Sequence, residues 1–396
     1  MSRRAAKGPG SPGDDSARTP RAHLSGWLGL ALAAALVVAG CGTDTGPPID
    51  PESVTPPPQP TVTPYDPRFA FKQPLPDDAA IDPRSDAIVG QLVENATRER
   101  MQLAPLADVP TVYTAKPTDP LYSVDITGVE TEFRVPGGAR PGEGSDYPMV
   151  ILDPNHPQLG SSVELRLFQA EIDHTNERIN ATGAGLFRYN NDGKRFDGNS
   201  PSDSLPFAGQ GTGSGLSILA GLIRPEEVER GAIHHALRMT YSAADFLPGF
   251  RRPAAKTDQP LDTETRDPGT AMQMGMRLQL DPGVNCDTRT VPNASNSSPE
   301  TRFLRMICHA MQDYGVIVAD GTRTEGLVIQ MEHDATANWA PIVGDRRFES
   351  YGHLIRPEGS LDDGLDRESS SGIPWTKLRV LATSEFDTLG PVGRTK

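Results

Sequence analysis

The side chains of this chain that could act on a ligand are one histidine, one arginine and three carboxylates. Hydrolysis of a glycosidic bond needs two carboxylates about 5 to 9.5 Å apart, and elimination needs a base and a cation beside a uronate. The residue types for either reaction occur in or beside β-rich segments, so we predict that they meet in one polar groove. The candidates are His235, Arg238, Glu164, Asp153 and Asp320.

The segment from Gly231 to Tyr241 carries the histidine and the arginine and must position both. If it forms a β-strand, alternation puts His235 on the apolar face and Arg238 on the opposite face. His235 then lies at the lip of a groove, or else it is a core histidine satisfied by a carboxylate or a carbonyl. The neighbouring His234 would point away from His235, which is a poor geometry for a metal pair. No His-Glu-x-x-His pattern occurs in the sequence, so we predict no metal site and no cofactor.

A glycine-rich stretch over residues 209–215 resembles a phosphate-binding loop in composition alone. It lacks the Lys-Ser/Thr ending with which a P-loop holds phosphate, and no hydrophobic strand leads into it. We therefore predict no nucleotide binding and interpret these glycines as a tight turn beside the groove.

Short β-rich segments separated by Gly, Pro, Asn and Asp make up most of the chain after residue 110, and helical patterns are few. This favours a mainly β fold, an antiparallel sandwich or jelly roll with a few packed helices. A mixed α+β sheet is the alternative, because the helix predicted over 299–314 leads directly into a strand. The predicted strands are 122–126, 147–152, 163–168, 232–241, 276–280, 316–319, 327–330 and 377–381.

Helix boundaries are marked by residues that satisfy exposed backbone groups. Ser85 is placed to cap a helix with apolar residues at helical spacing. Ser298 and Pro299 open a second amphipathic helix, and Gly315 ends it. A short third helix is predicted over 225–231.

The first 41 residues have the order of an export signal. A basic region precedes an uncharged apolar run over 25–40, which ends in small residues and Cys41. The junction Val38-Ala39-Gly40-Cys41 looks like the lipobox of bacterial lipoproteins, in which the cysteine thiol is acylated. A retained transmembrane helix is the alternative, but the run is shorter than the roughly 20 apolar residues that span a bilayer. We therefore predict a lipid anchor at the extracytoplasmic face of a bacterial membrane.

The predicted extracytoplasmic location decides how we interpret the two remaining cysteines. Cys286 and Cys308 form an even pair in an exported chain, which predicts a disulfide bond between them. Two buried free thiols are the alternative.

The net charge of the chain limits the kinds of partner that it can bind. The chain has a formal net charge of −14, and without residues 1–40 it has 33 basic against 50 acidic residues. Binding to nucleic acid depends on basic groups that neutralise phosphates, so we predict no nucleic-acid partner. The same acidity argues against membrane attachment other than through the lipid.

Composition divides the chain into three parts. Residues 1–40 form the predicted lipoprotein signal peptide, and proline-rich residues 41–80 form a semi-extended tether. Residues 81–396 form a single globular β-rich domain with an N-terminal helix, a length that one large core accommodates.

Six motifs lie between residues 145 and 335. They are Val150-Ile151-Leu152-Asp153, Val163-Glu164-Leu165, Gly215-Leu216-x-x-Leu219-x-Gly221-Leu222-Ile223, Gly231-x-Ile233-x-His235-Ala236-Leu237-Arg238, Gly275-x-x-x-x-Leu280 and Tyr314-Gly315-x-x-Val318-x-Asp320. These motifs resemble those of a large group of exported bacterial proteins of unknown activity. Members of this group are often found beside carbohydrate-binding modules, so the resemblance implies extracellular glycans as the ligand class. The chain departs from the group in its Asn-rich loop over 286–298 and in having Asp-Gly at 320–321 instead of Asp-Asn-Gly.

Two functions are consistent with these observations. In one, the anchored domain is a glycoside hydrolase or a polysaccharide lyase whose candidate residues meet in the groove. In the other, it is a non-catalytic binding or structural lipoprotein of the cell envelope, and the same polar residues form a hydrogen-bonded network in the core. The distance between the candidates distinguishes the two.

Overall fold

The structure is a computed structural model that describes about three fifths of the chain. Residues 1–68, and with them the predicted signal peptide and Cys41, lie outside the described part. The described ranges are 69–98, 100–104, 108–126, 128–158, 162–188, 212–242, 246–257, 267–291, 294–322, 326–339, 341 and 372–382.

Three α-helices and sixteen short strands make up the regular structure of these ranges. The helices are α1 (Ser85–Arg98), α2 (Pro225–Glu229) and α3 (Pro299–Asp313). The strands are β1 (Arg100–Ala104), β2 (Thr111–Thr114), β3 (Leu121–Ile126), β4 (Val129–Arg134), β5 (Met149–Asp153), β6 (Val163–Phe168), β7 (Glu171–Asp173), β8 (Arg178–Ala181), β9 (Gly183–Arg188), β10 (Leu237–Ser242), β11 (Phe246–Phe250), β12 (Met272–Met274), β13 (Arg277–Leu280), β14 (Val316–Thr322), β15 (Gly326–Gln330) and β16 (Leu378–Val380).

The largest sheet is mixed and has the strand order β1-β15-β10-β14-β13-β16. Strand β10 runs parallel to β14 and antiparallel to β15. One face of this sheet packs on α1 and α3 and forms the largest hydrophobic core cluster. Leu237, Met239 and Tyr241 of β10 point into that cluster, as alternation along a strand requires.

Two four-stranded sheets pack face to face and form a sandwich. One has the order β2-β5-β6-β9 and the other β4-β3-β8-β7. Apolar side chains from both, such as Ile151 and Leu165 from the first and Val124 and Ile179 from the second, fill a common core. The fold is therefore mainly β, as predicted, with mixed sheets and few helices. The sandwich is not antiparallel throughout, because β2 runs parallel to β5 and β3 runs parallel to β8, with strands of the other sheet between them along the chain.

The sandwich and the six-stranded sheet meet at a third apolar cluster. Val150 and Leu152 of β5 contact this cluster from one side, and Ile317 and Ala319 of β14 contact it from the other. Residues 216–222 supply much of the apolar material between the sheets. Paired residues of neighbouring strands point to the same face of a sheet. Glu164 and Arg166 of β6 pair with Leu152 and Val150, and Arg238 of β10 pairs with Ile317, so these polar side chains also lie between the two sheets.

The predicted boundaries of α3 are confirmed by the backbone. The cap predicted at Ser85 is wrong, because Ser85 is the first residue of α1 and its hydroxyl accepts a hydrogen bond from the amide of Val380 instead. The Ser298 hydroxyl accepts a hydrogen bond from the amide of Thr301 at 3.1 Å, and Pro299 occupies the first turn of α3. Gly315 follows the helix with a φ of 77°, a left-handed conformation that favours glycine at a helix C-terminus. The predicted disulfide is also present, since Cys286 and Cys308 are bonded with their Cα atoms 5.6 Å apart.

The packed part of the chain begins before residue 81. Phe69 and Phe71 are buried in the cluster between the sandwich and the six-stranded sheet. The Phe71 carbonyl accepts a hydrogen bond from the amide of Ala236 at 2.7 Å. Residues 69–80, which composition assigns to the tether, therefore pack on the β-rich core.

Asp82 joins the segment before α1 to a distant turn. Its carboxylate accepts hydrogen bonds from Arg84 and, at 2.7 Å, from Arg251. Burial alone raises the pKa of the carboxyl, but the bonds from the two arginines outweigh burial and lower the pKa to about 2.

We expect Asp82→Asn to lower the free energy of unfolding at neutral pH and to flatten its dependence on acid. A carboxyl whose folded-state pKa lies below its ordinary value of 3.8 stabilises the fold above that pH, and this stabilisation is lost as the pH falls towards about 2. Urea unfolding from pH 7 down to pH 2 measures the effect, with the exposed Asp78→Asn as control. If the free energy of unfolding falls equally steeply with pH for Asp82→Asn and the unmodified protein in that acid range, the lowered pKa of Asp82 is contradicted.

Candidate functional site

A buried polar cluster lies between the sandwich and the six-stranded sheet. Glu164 and Arg166 come from the same face of β6, Arg238 comes from β10, and Asp320 comes from β14. Ser217, in the segment between the sheets, connects the two sides. We call these five residues the interlayer cluster.

Ser217 binds the carboxylate of Glu164. Its hydroxyl lies 2.7 Å from Oε1 and 2.8 Å from Oε2 of Glu164, and both side chains are almost completely buried. The hydroxyl oxygen also accepts hydrogen bonds from the amides of Leu219 and Ala220. These contacts fix the turn at 217–220 against β6.

Arg238 is the centre of the cluster. Its side chain has no exposed surface, and its guanidinium donates to the carbonyl oxygens of Ser217 at 3.0 Å and Ala319 at 3.3 Å. It also donates to the side-chain oxygen of Gln330 at 2.5 Å and lies 3.5 Å from Oδ2 of Asp320. One arginine therefore joins three chain segments, because a guanidinium carries five donors in a fixed plane.

Asp320 forms the exposed end of the cluster, with about a fifth of its side chain in contact with solvent. Its other oxygen, Oδ1, accepts hydrogen bonds from the amides of Gly213 and Gly321, each at 3.0 Å. The turn around Gly213 is held to β14 by the hydroxyls of Thr212 and Ser214, which donate to Ala319. The described part of the glycine-rich stretch is thus a tight turn beside the cluster, as predicted, while residues 209–211 lie outside the description.

Arg166 lies beside the same acidic groups. Burial lowers the pKa of its guanidinium, and the nearby carboxylates of Asp320, Asp146 and Glu164 oppose that shift. The guanidinium carbon also lies 5.3 Å from the centre of the Phe168 ring, a distance that allows a cation–π contact. The cluster therefore combines two arginines with two carboxylates in one interlayer space.

His235 lies in a different polar group. Its Nε2 is 3.0 Å from Oε2 of Glu227, and its Nδ1 is 2.8 Å from the carbonyl oxygen of Ala236. Arg224 extends the group, with Nε 2.9 Å from Oε2 of Glu332. His235 is the core histidine of the alternative interpretation, satisfied by a carboxylate and a carbonyl. The strand begins at Leu237 instead of residue 232, so the alternation predicted for His235 does not apply to it.

Asp153 also lies apart, at the end of β5. Its carboxylate accepts from Arg134 at 3.0 Å and from the amide of Asn155 at 3.0 Å. Of the five predicted site residues, the structure therefore brings together Glu164, Arg238 and Asp320, and it places His235 and Asp153 elsewhere.

Sequence reasoning missed two members of the interlayer cluster. Arg166 could have been predicted from the sequence, because it follows Glu164 by two residues in a strand and must lie on the same face. Ser217 could not have been predicted, because it lies in irregular structure and only the fold brings it to Glu164.

Among the described residues, no three His, Cys, Asp or Glu side chains are grouped as a metal ion would require. Within the same ranges, no helix is both long enough and apolar enough to cross a bilayer. Comparisons with protein-family models, curated proteins and solved structures found no match to this chain.

Proposed function

We propose that this protein is a lipid-anchored extracytoplasmic lipoprotein whose β-rich domain binds polysaccharide without cleaving it. The observation that carries the proposal is the interlayer cluster, which joins two arginines and two carboxylates and reaches solvent at Asp320. Sugars offer many hydroxyl groups, and carboxylate and guanidinium groups form strong hydrogen bonds with them.

Burial favours binding over catalysis. A general acid or base must come within hydrogen-bond reach of the reacting group. Glu164 has no exposed surface, and both of its oxygens lie within 2.8 Å of the Ser217 hydroxyl, which donates its one proton to them. Arg238 is likewise enclosed. Arg238 is suited to holding Asp320 in place and Glu164 to holding the turn at 217–220, and Asp320 is the group within reach of a ligand.

The disulfide bond supports the proposed compartment. Disulfides persist where the environment is oxidising, as outside the cytoplasmic membrane, and are rare where thiols are kept reduced. The Cys286–Cys308 bond is therefore what an exported chain is expected to carry.

We expect Asp320→Asn to weaken polysaccharide binding by about tenfold, because a charge-assisted hydrogen bond contributes on the order of 1.5–3 kcal/mol. Affinity electrophoresis of the purified full-length protein through gels containing neutral, amino-sugar or uronate polysaccharides measures binding. Asp287→Asn, which removes an exposed carboxylate near α3, is the control.

Two results would contradict the proposal. One is the absence of retardation by every polysaccharide, and the other is equal retardation of Asp320→Asn and the unmodified protein at equal thermal stability. Release of shortened glycans by the unmodified protein would instead support the catalytic alternative.

A further inference from the structure

Three of the four non-glycine residues with a positive φ in the described part of the chain meet at one end of the sheet β2-β5-β6-β9. They are Asp108, with a φ of 57°, Tyr147, with a φ of 38°, and Gln169, with a φ of 51°. Residues other than glycine are strained in this left-handed region, and bulky ones most of all. We call these three residues the strained corner.

Hydrogen bonds hold the strained corner together. The carboxylate of Asp108 accepts from the amide of Asp146 at 2.8 Å. The carbonyl of Asp146 accepts from the amide of Gln169 at 2.7 Å. The carbonyl of Tyr147 accepts from the amide of Ala170 at 3.3 Å. The backbone around Tyr147 is therefore fixed on both sides, so its left-handed conformation persists in the folded protein.

This strained backbone carries an aromatic ring that faces solvent. Tyr147 is 51% exposed, more than any other large hydrophobic residue that the structure describes. An exposed ring gains little from the hydrophobic effect, and a left-handed conformation costs stability. Neither the backbone nor the side chain of Tyr147 therefore favours folding, which is typical of a residue that serves binding.

The strained corner adjoins the interlayer cluster. It is bonded to the residues that follow β6, the strand that carries Arg166. The guanidinium carbon of Arg166 lies 5.3 Å from the centre of the Phe168 ring, so the cluster extends towards this end of β6. Burial lowers the pKa of Arg166, and the carboxylates of Asp320 and Asp146 oppose the shift, so both lie near its guanidinium. Tyr147 therefore follows directly on a carboxylate that shares Arg166 with Asp320.

We propose that Tyr147 is the platform on which one sugar ring of the bound polysaccharide stacks, an inference that rests on the proposed function. One face of a pyranose ring consists largely of C–H groups, and this face packs on a flat aromatic ring. The polar groups of the neighbouring cluster suit the hydroxyls at the edge of the same sugar. Tyrosine provides such a contact surface at low entropic cost, because it has only two side-chain torsions to fix.

Affinity electrophoresis of the purified full-length protein tests the proposal, with hydroxyethyl cellulose, glycol chitosan and alginate as neutral, amino-sugar and uronate probes. Tyr147→Ala should raise the dissociation constant about tenfold, because it removes the stacking surface. Tyr147→Phe and Tyr147→Trp should retain binding, since each keeps a flat ring. Phe250→Ala, the matched control, removes another exposed ring in β11, outside the sandwich, and should leave binding unchanged.

Two further measurements separate a role in binding from a role in folding. The fluorescence of Tyr147→Trp should shift when a probe that retards the protein is added, whereas Trp339 and Trp375 are buried and give a constant background. Tyr147→Gly should unfold at a higher temperature than Tyr147→Ala, because glycine adopts a φ of 38° without strain. It should nevertheless bind as weakly as Tyr147→Ala.

The outcomes distinguish this inference from the proposed function. If a probe retards the unmodified protein and Tyr147→Ala equally, the inference is overturned and the proposed function stands. If none of the three polysaccharides retards the unmodified protein, both are overturned. A lower unfolding temperature for Tyr147→Gly than for Tyr147→Ala also overturns the inference, because the corner is then not strained.

Discussion

Replacing Arg238 with methionine is expected to lower the free energy of unfolding by about 3–5 kcal/mol, because it removes one partner from a buried, hydrogen-bonded ionic group. The carbonyl oxygen of Ser217 and the side-chain oxygen of Gln330 would lose this donor inside the protein, and the Ala319 carbonyl would keep only the hydroxyls of Thr212 and Ser214. Methionine occupies a similar length, so the loss reflects polar groups left without a donor more than an empty cavity.

Urea unfolding at pH 7 measures this effect, and Arg302→Met, at an exposed position of α3, is the matched control. The control should change the free energy of unfolding by no more than about 0.5 kcal/mol. A double-mutant cycle with Asp320→Asn then isolates the contribution of the 3.5 Å contact between Arg238 and Asp320. A decrease in the free energy of unfolding of less than about 1 kcal/mol for Arg238→Met would mean that Arg238 does not hold together the chain segments that it contacts.

Replacing Cys41 with alanine is expected to move the protein from the membrane fraction to the soluble fraction. The lipid on Cys41 is the only membrane attachment that the acidic chain is predicted to have. Without this lipid, no predicted attachment remains to hold the protein at the membrane. Fractionation of cells followed by immunoblotting measures the change, and the intact mass of the N-terminus reports whether the thiol carries lipid.

The double variant Cys286→Ala/Cys308→Ala is the control for this experiment, because it removes the other two cysteines and should leave the protein in the membrane fraction. If the unmodified protein keeps residues 1–40 and carries no lipid on Cys41, then the apolar run over 25–40 is a retained transmembrane helix. That result would overturn the lipid anchor.

Much of the secondary structure was predictable because it depends on neighbouring residues. The cap at Ser298, the proline at 299 and the glycine at 315 delimit α3, and each acts within one turn of the chain. The strands at 163–168 and 316–319 were likewise evident from β-branched and apolar residues. The start of β10 was not evident from the sequence, because a turn follows α2 and the strand begins only at Leu237.

The candidate site was only partly predictable. Glu164, Arg238 and Asp320 were expected in one place and do lie together, but Ser217 completes the cluster from a segment without periodicity. His235 was expected with them, and Glu227 binds it instead. A residue type indicates what a side chain can do, and its partner depends on which segments the fold brings into contact.

The sequence by itself determined the predicted export signal, the acidic balance, the mainly β class, the alternation that points Arg238 away from Met239, and the pairing of Cys286 with Cys308. These follow from short-range patterns or from counting. The tertiary structure alone decided that the faces of β6, β10 and β14 meet across one interlayer space, and that Ser217 completes the cluster there. The physical reason is that strand order and sheet packing arise from burial summed over many distant contacts, which no local pattern encodes.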